Sequence, residues 1–445
     1  MIEDKELELA RKVLEFARSE GAAGCRVVLS KSTSDLLDTL NGELDKVTHC
    51  LDKSLSLSLF INGRFATFST NRLEESELAE FVHTCAKVTV MLEKDACRAL
   101  PSADRCAKNA LTGRELSLYD DSYALLDSDR RKELALAHCL DLDAKREGYT
   151  VISEEGQYGD SEFDSITLDS NGLFCRHCET SFEYASEVTI EAADGSKYSN
   201  YHWTSSPFLK DFKYAEVGEE ALRRAVSQIG SHPVRSGKRT MVVSENVASK
   251  LVTPLLSALN GYSIQQNNSF LTGDLGKKMF SDNLTIVDRP LIPGESGSRL
   301  FDSEGVATGD LDIIRGGEIK TYFINTYIAH KLGVTPTVED STRACLCPTE
   351  PGLSLEGLLE KCGRGILVTG FNGGNCNSAT GDFSYGVEGF EFSGGRITSP
   401  VSEMLITGNF LTLWANFLGS ADDARRCASK LIPSLAFGKV DFSGE

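Results

Sequence analysis

The seven histidines of this 445-residue chain are the side chains best suited to metal-assisted hydrolysis, and their spacing argues against that chemistry. A helical zinc-peptidase motif needs two histidines about one turn apart, so that both imidazoles face one ion, with a glutamate as the base. The closest pair here, His177 and His202, lies 25 residues apart, and no histidine is followed by glutamate. The sequence therefore predicts no zinc motif of this kind. The histidines are at positions 49, 83, 138, 177, 202, 232 and 330.

Cysteine pairs offer a second possible metal site. Cys175 and Cys178 form a C-x-x-C pair, and Cys345 with Cys347 is the possible second pair. A structural zinc site normally repeats its pair within a few tens of residues, whereas these pairs lie 167 residues apart. We therefore favour thiols packed in a strand over a zinc or redox site. The thirteen cysteines are scattered along the chain, which is typical of reduced thiols in the cytoplasm.

A hydrolase without a metal needs an activated nucleophile. Cys376 follows two glycines in a G-G-N-C loop, and Ser384 is the other candidate, with Asp382 or Glu304 as acid or base. The chain has no G-x-S-x-G elbow and no P-loop. Side chains such as Asp382 and Ser384 more commonly cap turn amides. A self-contained hydrolase using Cys376 or Ser384 remains an alternative hypothesis.

The charge of the chain bears on its partners. Lysine and arginine number 46 against 65 acidic residues, giving a net charge of −19. Nucleic acid is held largely by cations on phosphates, so this balance disfavours direct nucleic-acid binding, and the cluster Arg235, Lys238 and Arg239 is more simply a solvated strand start. The N-terminus has no basic start or apolar secretion segment, and no run of eighteen apolar residues occurs. We expect a cytoplasmic protein with no membrane span.

Hydrophobic periodicity predicts helices and antiparallel strands in the first half of the chain. Leu9, Val13 and Phe16 recur at helical spacing, and Asn62-Gly63 between alternating runs is a strong hairpin signal. The later strands are joined by links too short for crossover helices. The predicted strands are 25–29, 55–59, 64–70, 151–155, 165–170 and 181–191, and the predicted helices are 74–93, a segment within 124–145, and 215–228.

The second half is richer in glycine, which predicts tight hairpins and bulges. We predict a domain boundary near residue 232, with an N-terminal α+β domain at 1–232 and a C-terminal glycine-rich, β-rich domain at 233–445. A helix is expected at 245–260 and another at 409–418. The predicted strands are 240–244, 284–288, 311–315, 319–324, 365–369, 387–392, 397–400 and 402–408.

Several segments of the second half have a distinctive sequence. They include Phe301-Asp302-Ser303-Glu304-Gly305-Val306, Tyr327-Ile328-Ala329, Gly381-Asp382-Phe383-Ser384 and Pro400-Val401-Ser402-Glu403. These segments resemble the TldD/PmbA family, whose members are named as modulators of DNA gyrase. The resemblance spans nearly the whole chain and is most specific in the C-terminal half. It implies an α+β fold of two domains, with antiparallel sheets curled into half-barrels, and a cytoplasmic peptidase assembly.

The resemblance also implies which kind of subunit this is. TldD-type chains carry an H-E-x-x-x-H zinc motif on a helix, whereas PmbA-type chains, also called TldE, lack it. The corresponding helix here, 247–261, contains no histidine and no acid. The implied role is a PmbA/TldE-type subunit with no catalytic, cofactor-binding or metal residues of its own. Zinc is expected in a TldD-type partner, the dimer is a heterodimer or a homodimer, and the substrate is an unfolded peptide.

An extended peptide could add to an exposed strand edge, where main-chain hydrogen bonds give affinity with little sequence preference. Polar turn residues beside glycines tend to lie at the rims of sheets. The expected groove positions are Phe301, Asp302, Glu304, Asp382 and Ser384. The competing interpretation places Phe301 in the core and makes Asp302 a turn cap.

Overall fold

A computed structural model describes residues 1–137, 139–142 and 144–444. Elements are numbered here in chain order. The N-terminal half contains α1 (Asp4–Ser19), β1 (Gly24–Leu40), β2 (Glu43–Ile61), β3 (Arg64–Thr70), α2 (Glu75–Thr89), α3 (Ser128–Leu136), β4 (Tyr149–Asp169), β5 (Phe174–Ala192), β6 (Lys197–Ser206) and α4 (Val217–Ser227). The predicted helical segment 124–145 is thus helical only at α3, and its positions 138 and 143 lie outside the described residues.

The N-terminal strands form one antiparallel sheet in the order β3-β2-β1-β4-β5-β6. The predicted hairpin is confirmed, because Asn62 and Gly63 have φ values of 52° and 74° between β2 and β3. A second Asn-Gly turn, Asn41-Gly42, joins β1 to β2. The four central strands run for 17 to 21 residues, so the predicted strand 25–29 was too short, and 151–155 and 165–170 belong to the single strand β4.

Helices cover one face of this sheet. Ala10, Val13 and Ala17 of α1 pack with Val27 and Leu57, which the alternation of the strands points to the same side. At the other end of the sheet, the buried rings of Tyr158, Phe182 and Phe212 form a separate cluster. The sheet therefore packs through separate clusters along its length, one aliphatic around α1 and one aromatic, with a third, aliphatic cluster between β5 and α4.

The C-terminal half contains shorter elements: β7 (Gly237–Val243), α5 (Ser249–Ala258), α6 (Gly261–Gln265), β8 (Ile286–Asp288), β9 (Leu311–Arg315), β10 (Glu318–Ile319), α7 (Thr326–Leu332), β11 (Ala344–Leu346), α8 (Leu355–Cys362), β12 (Arg364–Cys376), β13 (Asp382–Ser393), β14 (Arg396–Asn409), α9 (Phe410–Ala415), β15 (Phe417–Ser420) and β16 (Leu435–Ser443). The predicted helix at 245 begins only at Ser249, and the predicted strand 319–324 is limited to β10.

Five of these strands close into a barrel. The order is β14-β13-β12-β7-β16, and β16 returns to pair with β14. All of these pairings are antiparallel except β7 with β12, which is parallel. Trp414, Phe417 and Phe437 are buried in its core, with ring centroids 5.0 to 5.5 Å apart. The predicted fold class, α+β with curled antiparallel sheets, is confirmed, and this sheet curls far enough to close.

Candidate functional site

A cleft of about 810 Å³, into which several polar groups converge, lies between the N-terminal sheet and the barrel. Its three walls are the edge strand β6, the first turns of α5 and the distal half of β12. The lining residues include Ser199, Tyr201, Trp203, Arg224, Asn246, Ser249, Lys250, Thr253, Phe371, Asn372, Asn375, Cys376, Tyr385 and Glu388.

Helix α5 is the wall on which the family resemblance would place a zinc motif. It presents Ser249, Lys250 and Thr253 to the cleft, and the Lys250 ammonium lies 5.4 Å from the ring centroid of Tyr385. Hydroxyl groups and a cation are not the imidazole and carboxylate donors that a catalytic zinc requires. The donor set of this helix therefore does not fit zinc.

The distal half of β12 is a bare strand edge that faces the cleft. Strand β7 pairs with β12 only at Ile366–Val368, after which the chain turns away into α5. From Thr369 to Cys376, β12 has β13 as its only strand partner within the described part of the chain, and two bulges interrupt that pairing. Gly374 sits at the second bulge with a φ of 91°, where an added Cβ would lie 2.1 Å from the Ser384 carbonyl oxygen. The glycine therefore permits the bend that turns this edge to the cleft.

The edge of β6 on the opposite wall is already occupied by side chains. Arg425 donates to the Trp203 carbonyl and lies over the Trp203 ring at 4.5 Å. Arg224 Nη1 donates to the Tyr201 carbonyl at 3.4 Å, and the Tyr201 amide donates to Asn200 Oδ1 at 2.9 Å. Of the two edges in the cleft, β12 is therefore the one left free to accept a further strand.

Cys376 and Tyr385 meet at the end of this edge. Burial and the hydrogen bond with the Cys376 thiol raise the pKa of the Tyr385 hydroxyl. Among the described residues that line the cleft there is no histidine to serve as a base for the thiol. Cys376, which its glycine-rich loop singled out, thus does line the cleft. The residues on β6 and α5 that face it are distant in sequence and come together only through the tertiary fold.

Asp382 and Ser384 lie on β13, beside the cleft but outside its lining. Asp382 accepts hydrogen bonds from Thr380 Oγ1 at 2.7 Å and Asn409 Nδ2 at 2.9 Å, which together lower its pKa. Ser384 is paired with Asn375 in the strand ladder. The hydrogen-bond partners of Asp382 are therefore two side chains and not the turn amides that the capping alternative expects.

Phe301, Asp302 and Glu304 lie elsewhere, at the contact between the two halves of the chain. Phe301 is 5% exposed and packs with Cys106, Leu173 and Cys175. Asp302 Oδ1 accepts from the amides of Glu304 and Val306, and burial raises its pKa to about 6. Glu304 accepts from the amide and hydroxyl of Thr326. The structure therefore does not bring the five expected groove residues into one site.

Asp302 borders a second depression, of about 580 Å³, that also contains Ser303 and Glu339. The environments of Phe301 and Asp302 match the alternative of a core side chain and a turn cap. That Phe301, Asp302 and Glu304 lie near a substrate groove stays a prediction.

The cysteine pair and the basic cluster that the sequence suggested as metal or anion sites are held by ordinary structural contacts. Cys175 and Cys178 are buried, point to opposite faces of β5, and donate to the carbonyls of Ala107 and Gly113. Across the described residues, no group of three or more histidine, cysteine or acidic side chains is arranged to hold a metal. Arg239 lies 3.6 Å from Glu391, and Lys238 lies 3.7 Å from Asp441, at the start of β7. His138 lies outside the described residues.

Comparison with known proteins identifies the class of this fold. The family model described as the PmbA/TldA metallopeptidase C-terminal domain matches residues 236–444, and the model of the central domain matches residues 124–229. The chain therefore belongs to the PmbA/TldD family. Among the residues that the structure describes, no helix is long and apolar enough to cross a bilayer.

Individual relatives are similar over their whole length. The chain is 28% identical over 443 residues to the metalloprotease PmbA of Escherichia coli O157:H7, covering 97% of each chain. It is 39% identical, with a TM-score of 0.94 and full coverage of both chains, to a structure from Bacteroides thetaiotaomicron named as a modulator of DNA gyrase. TldE of Thermococcus kodakarensis, at 18% identity, has the same fold with a TM-score of 0.83, covering 98% of this chain and 100% of its own.

Proposed function

We propose that this chain is a PmbA/TldE-type subunit of a zinc peptidase assembly, and that it binds an extended, unfolded peptide in the cleft between β12 and α5. The observation that carries the proposal is the bare edge of β12 opposite a helix that bears Lys250 where a zinc-bearing relative would need ligands. The zinc is supplied by a TldD-type subunit with the H-E-x-x-x-H motif. There it would polarise the scissile carbonyl and activate water.

The residues of this chain hold and orient the peptide. Main-chain amides and carbonyls of residues 369–376 pair with the peptide backbone, so binding depends little on peptide sequence. The half-buried ring of Phe371, held against the buried ring of Tyr385 with their centroids 5.7 Å apart, offers apolar contact to a peptide side chain. Lys250, at the same wall, attracts a peptide carboxylate.

The composition of the chain bears on its location in the cell and on whether it contacts DNA. All thirteen cysteines are free, which supports a reducing cytoplasm, and the net charge of −19 argues against direct contact with DNA. We propose that the gyrase name reflects an indirect connection.

Peptide binding tests the proposed groove. A fluorescein-labelled unstructured peptide is titrated with the chain, and its affinity is compared with that of the same peptide N-methylated at alternate amides. Because N-methylation removes strand hydrogen bonds, we expect the affinity to fall at least tenfold. Phe371→Ala is expected to weaken binding about three- to tenfold.

The matched control is Phe390→Ala, a half-buried phenylalanine on β13 that packs away from the cleft. It should leave peptide affinity unchanged. Equal affinity for the methylated and unmethylated peptides, or equal weakening by both phenylalanine variants, would contradict binding by strand addition in this cleft.

A further inference from the structure

One stretch of the long β1–β2 hairpin is an uncovered strand edge. Strand β3 pairs with β2 only at Leu55–Ile61, so residues 45–52 of β2 have β1 on one side and no strand of the described chain on the other. All eight residues are exposed, with Val47 at 57% and Leu51 at 63%. A long bare edge with apolar side chains favours pairing with another strand.

The sequence of this edge is complementary to itself when read in the opposite direction. Residues 45–53 read D-K-V-T-H-C-L-D-K. In an antiparallel pair centred on His49, Lys46 faces Asp52 of the other copy and Val47 faces Leu51. Asp45 faces Lys53, which within its own chain also reaches Glu6 at 2.6 Å. Opposite charges and apolar side chains thus meet at corresponding positions on each face.

Shifting the register removes this complementarity. Because side chains alternate between faces, centring on a neighbouring residue shifts every pair by two positions. Centred on residue 48, Asp45 would face Leu51. Centred on residue 50, Val47 would face Lys53. Of these three registers, only the pairing about His49 makes each charged side chain of residues 45–53 face an opposite charge and makes Val47 face Leu51.

We infer that β2 pairs antiparallel with β2 of a second copy of this chain, with the two-fold axis at His49. Such an interface is isologous, because each residue i that contacts j is matched by j contacting i. It joins the two six-stranded sheets into one of twelve strands. His49 Nδ1 lies 2.9 Å from Asp35 Oδ1, which orients both imidazoles beside the axis. This inference does not depend on the proposed peptide groove.

Charge reversal tests the pairing. Lys46→Asp places two acidic side chains opposite each other at two symmetric positions, and Asp52→Lys does the same with two cations. Each variant should raise the dimer dissociation constant, measured by analytical ultracentrifugation, about 10- to 30-fold. The double variant Lys46→Asp/Asp52→Lys restores opposite charges and should return the constant to within about threefold of the parent.

A disulfide at the axis tests the register. In a Cys50→Ser background, His49→Cys places two thiols across from each other, where neighbouring antiparallel Cα atoms are about 4.5–5.5 Å apart. Mild oxidation should give a covalent dimer on a non-reducing gel. Asp45→Cys in the same background is the control, because its two copies would lie about 26 Å apart and should not cross-link.

A chain that is monomeric at concentrations up to 100 μM, or a dimer that both charge reversals leave unchanged, would overturn the inference. It would also be overturned if the parent chain associated only after a TldD-type subunit was added. Restored dimerisation in the double variant, together with selective cross-linking at position 49, would establish the pairing about His49.

Discussion

The N-terminal sheet and the C-terminal barrel solve the same problem of exposed strand edges in different ways. The barrel closes by pairing β16 with β14, which removes its outer edges. The N-terminal sheet stays open, with Arg425, Arg224 and Asn200 occupying the edge of β6. Bare edge remains on β2 at residues 45–52 and on β12 beyond Val368. These two uncovered edges are the ones that we propose bind a second copy and a peptide.

The barrel should depend most on its buried aromatic core. Trp414 is fully buried against Phe417 and Phe437, so Trp414→Ala should lower the free energy of unfolding by about 3–5 kcal/mol in urea titrations. Trp414→Phe is the control: it keeps a ring and removes an indole N–H that has no hydrogen-bond partner among the described residues, so its cost should be clearly smaller. Equal costs would mean that the core is not tightly packed around Trp414.

The open sheet should depend on buried charge that anchors its N-terminal segment. Asp164 is fully buried and accepts from the Ile2 amide at 2.7 Å and from Arg176 Nη2 at 2.6 Å. Asp164→Ala leaves the guanidinium without its ion-pair partner and should cost about 3 kcal/mol of unfolding free energy. Glu8→Ala, which breaks the exposed pair with Arg11, should cost less than about 0.5 kcal/mol. Similar costs for both variants would show that the buried pair is not an anchor.

The contact between the two halves should show a pH dependence from Asp302. Its pKa is raised to about 6, so the folded protein holds this proton more tightly than the unfolded chain does. The stabilisation is complete below the unfolded pKa of about 3.9 and is lost as the pH rises through 6. Between pH 4 and pH 7, the free energy of unfolding of the parent should fall about 2 kcal/mol more than that of Asp302→Asn. Asp382→Asn, at an exposed carboxylate, should retain the slope of the parent.

The smallest effect is expected at the cleft thiol. If peptide binding rather than thiol chemistry is the task of this edge, Cys376→Ala and Ser384→Ala should leave the peptidase activity of the mixed assembly within about twofold. The rate at which the mixed assembly cleaves a fluorogenic unfolded peptide measures this activity. Loss of activity in either variant, with peptide affinity intact, would favour the self-contained hydrolase instead.

Turn residues and the alternation of apolar and polar side chains predicted the strands and turns wherever these local patterns were continuous. Asn62-Gly63 fixed a turn that only residues tolerant of positive φ can make. The lengths of β1 and β4 were missed because polar stretches such as 30–35 and 159–162 break the alternation, while long antiparallel partners continue the strand regardless. The barrel closure was also missed, since β14 and β16 meet through three residue pairs that no local pattern encodes.

The site was predicted only in part, because contacts between residues distant in sequence leave no local pattern. Cys376 was singled out from its glycine-rich loop and does line the cleft. Trp203 and Arg425 are separated by more than two hundred residues, so their contact depends on how the two halves pack. Asp302 resembled a groove residue in sequence because the same glycine-rich turns occur in buried loops and at rims.

The central claim is that this chain contributes binding and not zinc chemistry. The most direct test measures bound zinc and the rate of cleavage of an unfolded peptide for the purified chain alone, and again after mixing with an H-E-x-x-x-H subunit from the same cell. We predict less than 0.1 zinc per chain and no cleavage alone, with cleavage appearing in the mixture and falling at least fivefold when the chain carries Phe371→Ala. Stoichiometric zinc and peptide cleavage by the chain alone would contradict the account.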